Sequence, residues 1–190
     1  EQLSRPMRPK VLGGWNLHAA TRGIPIDFFL MYSSAAGLLG SPGQGNYAAA
    51  NTFLDALAHA RAAEGLPAVS IQWGSFSEVG LSAAQENRGL RLANRGIDSF
   101  TPEEGTALLS RLIQHPWGDV GLLRISVRQW VEFYPRAASA PFLATLREDD
   151  ERRLGATKIA SQFQAALQDL PPVERRAALE RHVLECFARV

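Results

Sequence analysis

Ser34, Tyr47 and Asn51 are residues whose types and spacing could do chemistry on a carbonyl group. Tyr47 and Asn51 stand four residues apart, so on a helix they share one face. Ser34 leaves the end of a short apolar run, where α/β folds gather their ligands. A ketone that receives hydride develops negative charge on its oxygen. A serine hydroxyl can hold that oxygen while a tyrosine hydroxyl delivers the proton. Free tyrosine titrates at about 10, so a nearby lysine ammonium is useful to tune it and to bind a cofactor ribose. Lys10 is the candidate.

Those side chains need elements to hold them. Met7, Val11, Leu12, Trp15 and Leu17 recur at helical spacing, which predicts a helix over residues 5–21. Residues 27–33 read as a strand buried on both faces, because Phe28 to Tyr32 is apolar without alternation. The next helix is predicted to start with Ser41 as N-cap, Pro42 at the first helical position and Gln44 completing a capping box, and to stop at Glu64 before Gly65 and Pro67. Residues 69–73 form a second short strand, and a polar, glycine-marked loop or lid follows to about Gly96. Thr101 opens a further helix to about Gln114, and residues 121–125 form a third strand. Helix and strand alternate, which predicts the α/β class, with a parallel sheet joined by right-handed crossovers. Residues 134–156 read as an exit segment, followed by helical patterns over 157–170 and 172–190.

With those elements assigned, the chain resembles the ketoreductase domains of modular polyketide synthases, within the short-chain dehydrogenase/reductase superfamily. The resemblance rests on Pro9-Lys10-Val11, Tyr32-Ser33-Ser34-Ala35-Ala36-Gly37, Gly43-Gln44-Gly45-Asn46-Tyr47-Ala48-Ala49-Ala50-Asn51, Phe53-Leu54-Asp55 and Trp73-Gly74. Most of the superfamily has lysine four residues after the tyrosine. Here Asn51 takes that position and Lys10 lies upstream, the exchange that polyketide ketoreductases show. The resemblance implies the C-terminal half of a Rossmann-like doubly wound sheet, followed by a helical linker. It divides the chain into residues 1–150 as the catalytic part, 151–170 as linker and 171–190 as the first helix of an acyl carrier domain. That last pattern would serve equally as a docking or linker helix.

The implied reaction is NADPH-dependent reduction of a carrier-bound β-ketoacyl thioester. Ser34 would hold the ketone oxygen, Tyr47 would give the proton, Lys10 would tune Tyr47 and touch the ribose, and Asn51 would order the relay. Trp73 and Gly74 would line the nicotinamide end, with a core tryptophan as the alternative for Trp73. Leu39, Pro42 and Asn46, which lie eight, five and one residues before Tyr47, match the family's pattern for a D-hydroxyl product. Pro42 and Asn46 could instead simply start the helix. The chain contains no strand followed by Gly-x-Gly-x-x-Gly, the turn that binds a dinucleotide pyrophosphate. The preceding half of the same ketoreductase is therefore expected to supply most NADPH contacts, with other synthase domains as further partners. A catalytically silent ketoreductase that only scaffolds its module, and a free-standing alcohol dehydrogenase, are the competing readings.

Composition narrows the field. Twenty basic against 19 acidic residues leave no surplus charge for a nucleic-acid backbone or an anionic membrane. The longest apolar stretch, 26–32, is too short to span a bilayer. Cys186 has no partner cysteine, which fits a reducing compartment, and a cytoplasmic location is expected. The four histidines lack ligand spacing, so no metal site is expected. Gly96-Ile97-Asp98-Ser99-Phe100 mimics a carrier protein's phosphopantetheine motif, but no helix pattern precedes it. Ser99 is expected to lead into the following helix.

Overall fold

The computed structural model describes residues 7–78, 86–113 and 118–187. The first residues of the expected opening helix, part of the expected lid and the expected helix end near Gln114 lie outside them. The chain forms two compact units, residues 1–133 and 134–190.

The first unit opens with a π-helical turn, Arg8–Leu12, which carries Lys10 and runs into α1 (Gly13–Thr21). Three parallel strands follow in the spatial order β1 (Leu30–Ser34), β2 (Val69–Trp73) and β5 (Asp119–Leu122). Between β1 and β2 lie the short α2 (Ala35–Leu39) and the long α3 (Gly45–Ala63). One face of the sheet packs Met31 against Leu54, Leu57 and Ala58 of α3. The opposite face gathers Val69, Ile71 and Trp73 with Leu109 and Leu112 of α5 (Pro102–Leu112). β2 is buried at every position although apolar and polar residues alternate along it, whereas β1, expected to be buried on both faces, leaves Tyr32 exposed. Each fully buried large apolar side chain here contributes roughly 1.5–3 kcal/mol.

A second small sheet lies beside the first. β3 (Ser75–Phe76) pairs in parallel with β4 (Ile97–Phe100), and β4 pairs antiparallel with β6 (Arg124–Ile125). α4 (Glu86–Ala93) packs on β4, and α6 (Val127–Phe133) follows β6. The second unit contains 3-10 turns at Pro135–Ser139 and Pro141–Leu143, then α7 (Ala144–Asp169) and α8 (Pro172–Phe187). Arg175 closes the end of α7 by donating to the carbonyls of Leu170 at 2.9 Å and Gln168 at 3.0 Å.

Several expectations change. The helix expected from Ser41 starts at Gly45 instead, because Ser41-Pro42-Gly43-Gln44 is a type II turn. The Gln44 N–H donates to the Ser41 carbonyl at 3.0 Å, Pro42 holds the second position, and Gly43 supplies the left-handed φ of +78° that the third requires. The side chains of the supposed capping box bond to each other, the Ser41 hydroxyl donating to Gln44 Oε1 at 2.9 Å. Part of the expected lid is ordered as β3 and α4. The apparent carrier motif is a strand, so Ser99 sits in β4 opposite Ser75. The third strand is split: 119–122 completes the parallel sheet, while Arg124 and Ile125 belong to the second sheet. The exit segment expected over 134–156 is helical from Ala144 onward.

Candidate active site

Ser34 ends β1 and turns straight into α2. Its Oγ accepts the Ala36 N–H at 3.2 Å as the N-cap of α2. A hydroxyl that accepts there keeps its own proton to donate. Ser33, one residue earlier, points to the other face, where it is buried and donates to the Asn51 carbonyl at 3.2 Å. The alternation of a strand therefore separates the two serines: one ties down the helix and the other stays available.

Tyr47 lies in the first turn of α3. Its N–H donates to Asn46 Oδ1 at 2.8 Å, and its carbonyl accepts from Asn51 Nδ2 at 2.7 Å. Asn51 is wholly buried, and its Oδ1 has no hydrogen-bond partner among the described residues. Lys10 reaches the same region from the π-helical turn, which packs on α3. Its Nζ donates to the Tyr32 carbonyl at 2.7 Å, two residues before Ser34. Burial pushes the Lys10 ammonium below the ordinary lysine value, and the carboxylate of Asp55 pushes it back up. α3 packs on β1, on β2 and on α2, so Lys10, Ser34, Tyr47 and Asn51 gather around the carboxyl end of β1.

The family model for the KR domain matches residues 1–78, the stretch that holds all four side chains. The chain belongs to the ketoreductase domain family of polyketide synthases. It is 38% identical over 181 residues to a mycocerosic acid synthase-like polyketide synthase of Mycobacterium tuberculosis, covering 95% of this chain and 8% of that protein. It is 46% identical over 136 residues to polyketide synthase GfsE of Streptomyces halstedii, covering 66% of this chain and 4% of that one. Among solved structures, A-type ketoreductases from a modular polyketide synthase superimpose with a TM-score of 0.67 at 33% identity, over 70% of this chain and 28% of theirs. The ketoreductase from the first module of phoslactomycin biosynthesis in Streptomyces sp. HK803 gives 0.66 at 28% identity, over 73% and 32%. The fold is thus the Rossmann-like one of the short-chain dehydrogenase/reductase superfamily. The chain spans 8% of the length of the mycobacterial synthases it matches.

Trp73 of this ketoreductase pairs in register with Ser34 across β1 and β2. Its ring is buried between Tyr32, stacked at 5.7 Å, and Phe76 at 5.2 Å, which accounts for it as a core residue. Its indole N–H is nonetheless buried without a hydrogen-bond partner among the described residues. Gly74 donates its N–H to the Leu122 carbonyl at 2.8 Å, and a Cβ there would lie 3.1 Å from that oxygen. Its small size thus serves the approach of β5. Leu39 ends α2, Pro42 lies exposed in the type II turn, and Asn46 caps the Tyr47 N–H.

Asp55 received no role from its spacing alone, although it lies in one of the matching motifs. It is buried, with Oδ1 accepting from Ser70 Oγ at 2.6 Å and Oδ2 from Gln72 Nε2 at 3.0 Å. The available signal was a lone carboxylate eight residues after Tyr47, on the same face of an alanine-rich helix. Among the described residues no group of three or more His, Cys, Asp or Glu could hold a metal ion, and no helix is long and apolar enough to cross a membrane.

Proposed function

We propose that this ketoreductase reduces a β-ketoacyl thioester, held on an acyl carrier domain by phosphopantetheine, to the D-β-hydroxyacyl thioester during polyketide assembly. The observation that carries this reading is the gathering of Lys10, Ser34, Tyr47 and Asn51 at the carboxyl end of β1. Residues 1–150 are the catalytic part, 151–170 the linker and 171–190 the start of the carrier domain. The preceding half of the same ketoreductase and the other domains of a cytoplasmic, multifunctional synthase are its partners.

The residues present fit the catalytic side of a nicotinamide nucleotide site. A half-buried ammonium, a partly exposed tyrosine, and the buried unpartnered Asn51 Oδ1 and Trp73 Nε1 supply polar groups with capacity to spare. Lys10 and Tyr47 would hold the ribose of NADPH, with Trp73 and Gly74 at the nicotinamide end. NADPH, when bound, supplies the hydride. Ser34 donates a hydrogen bond to the substrate oxygen and so stabilises the charge that develops there. Tyr47 delivers the proton that completes the hydroxyl, and the Lys10 charge makes that transfer easier near neutral pH. Asn51, fixed by its bond to the Tyr47 carbonyl, turns a free amide oxygen into the relay.

The test is Tyr47→Phe in the complete ketoreductase, with a diketide thioester and NADPH. The hydroxyl product should vanish while circular dichroism stays unchanged; substantial residual reduction would overturn the assignment.

A further inference from the structure

We propose that Asp55 is a positioning residue for the catalytic face of α3, setting Tyr47 and Asn51 in register on the sheet and presenting a negative charge to Lys10. This deepens the ketoreductase reading and rests on it.

Tyr47, Asn51 and Asp55 follow one another at four-residue steps, so they form one stripe along α3. The stripe is tied to the sheet at two successive turns. At the Asn51 turn, Ser33 of β1 donates to the helix carbonyl at 3.2 Å. At the Asp55 turn, Ser70 and Gln72 of β2 donate to the two carboxylate oxygens. Two ties to two adjacent strands restrain both the rotation and the sliding of the helix. Gly37 of α2 completes the fit, since a Cβ there would lie 3.4 Å from Asp55 Oδ2 and 3.3 Å from Thr52 Oγ1.

Charge is the second half of the argument. Neutral donors satisfy Asp55, and no salt-bridge contact pairs it with a cation among the described residues. Burying a carboxylate without a paired cation is costly, and both of its oxygens must be hydrogen-bonded to offset that cost. The cation it acts on is Lys10, whose ammonium burial disfavours and Asp55 favours. Lys10 meets β1 through the neutral Tyr32 carbonyl, and its π-helical turn packs on α3, where Tyr47 and Asp55 are the titratable groups of the stripe. His18 on α1 is turned to Arg61 instead. Asp119 of β5 and His59 of α3 reach Asp55 only through Gln72.

The experiment uses the complete synthase polypeptide with Asp55→Asn and Ser70→Ala. Asp55→Asn keeps an acceptor for Ser70 and removes the charge. It should lower kcat about tenfold with KM little changed, and move the alkaline limb of the pH profile to lower pH. A direct readout is the pH dependence of Lys10 modification by an amine reagent, followed by mass spectrometry; its midpoint should also fall. Ser70→Ala leaves the charge, so kcat should fall while the Lys10 midpoint stays. Should Asp55→Asn fail to fold, Ser70→Ala carries the positioning claim, and an unchanged kcat there overturns it. An Asp55→Asn variant with full kcat and an unmoved Lys10 midpoint overturns the whole proposal. If the wild-type protein reduces no ketoacyl thioester, the functional reading fails, and the Lys10 midpoint still decides whether Asp55 sets its charge.

Discussion

The Lys10 ammonium donates to the Tyr32 carbonyl at 2.7 Å, binding the π-helical turn to β1 two residues before Ser34. Lys10 and Ser34, proposed to tune the proton donor and to hold the ketone oxygen, are therefore tied to one strand, even though 24 positions separate them in sequence.

Lys10→Met keeps the aliphatic stem and removes the charge and the donor. We expect a loss of about 1 kcal/mol from the orphaned carbonyl and a fall in kcat/KM on the order of a hundredfold. The folded-state value of Lys10 lies below its unfolded value of 10.5. The folded state therefore binds the proton less readily, and its stability rises as pH climbs through the folded value toward 10.5. Urea unfolding across that window should shift the balance in favour of the wild type over Lys10→Met; a constant difference would contradict it.

The helix α5 opens with a full capping box. Glu104 N–H donates to Thr101 Oγ1 at 3.3 Å, and Thr101 N–H donates to Glu104 Oε2 at 2.9 Å. Thr101→Ala should cost about 1 kcal/mol. The bond from the Thr101 backbone, and then that from Arg124, hold the Glu104 carboxyl below its ordinary 4.5. Its contribution is thus fully present above 4.5 and lost as pH falls through the depressed value. Glu104→Gln should flatten the acid limb of the stability curve below 4.5, which thermal melts over a pH series would detect.

Gly96 has a φ of +87°, and a Cβ there would lie 2.8 Å from the Ser126 carbonyl oxygen. Gly96→Ala should cost about 2–4 kcal/mol, from the left-handed backbone and from the clash with main chain. Gly13→Ala is the control: it lies in α1 with nothing within 4 Å. It should stabilise by roughly 0.5–1 kcal/mol. Equal midpoints for the two variants in urea would contradict the geometry.

Chiral chromatography of the product from a diketide thioester should show the D-3-hydroxyacyl enantiomer, if Leu39, Pro42 and Asn46 set the side from which substrate enters. Predominant L product would reassign those residues to the turn and cap that they also form.

Much of the site was legible because its geometry is local. Tyr47 and Asn51 share a face by helical spacing, and the structure links them at 2.7 Å. Ser34 was separable from Ser33 by motif spacing, and the strand then turns them to opposite faces. The start of α3 was misread although its signal was present: Pro42-Gly43 marks a type II turn, but Ser41 and Gln44 also matched a capping box. The left-handed φ of Gly43 decided between them.

By itself, the amino-acid sequence determined the α/β class, the stop of α3 before Gly65, the opening of α5 at Thr101 and the shared helix face of Tyr47 and Asn51. Each depends on contacts within a few residues, or on burial averaged over an element. Only the tertiary structure decided what those elements meet. It gave Asp55 to Ser70 and Gln72, the Lys10 ammonium to Tyr32, and Arg124 and Ile125 to a second sheet. Such partners lie tens of residues apart in the chain. A hydrogen bond between them depends on the position of whole helices on the sheet, which no local spacing encodes.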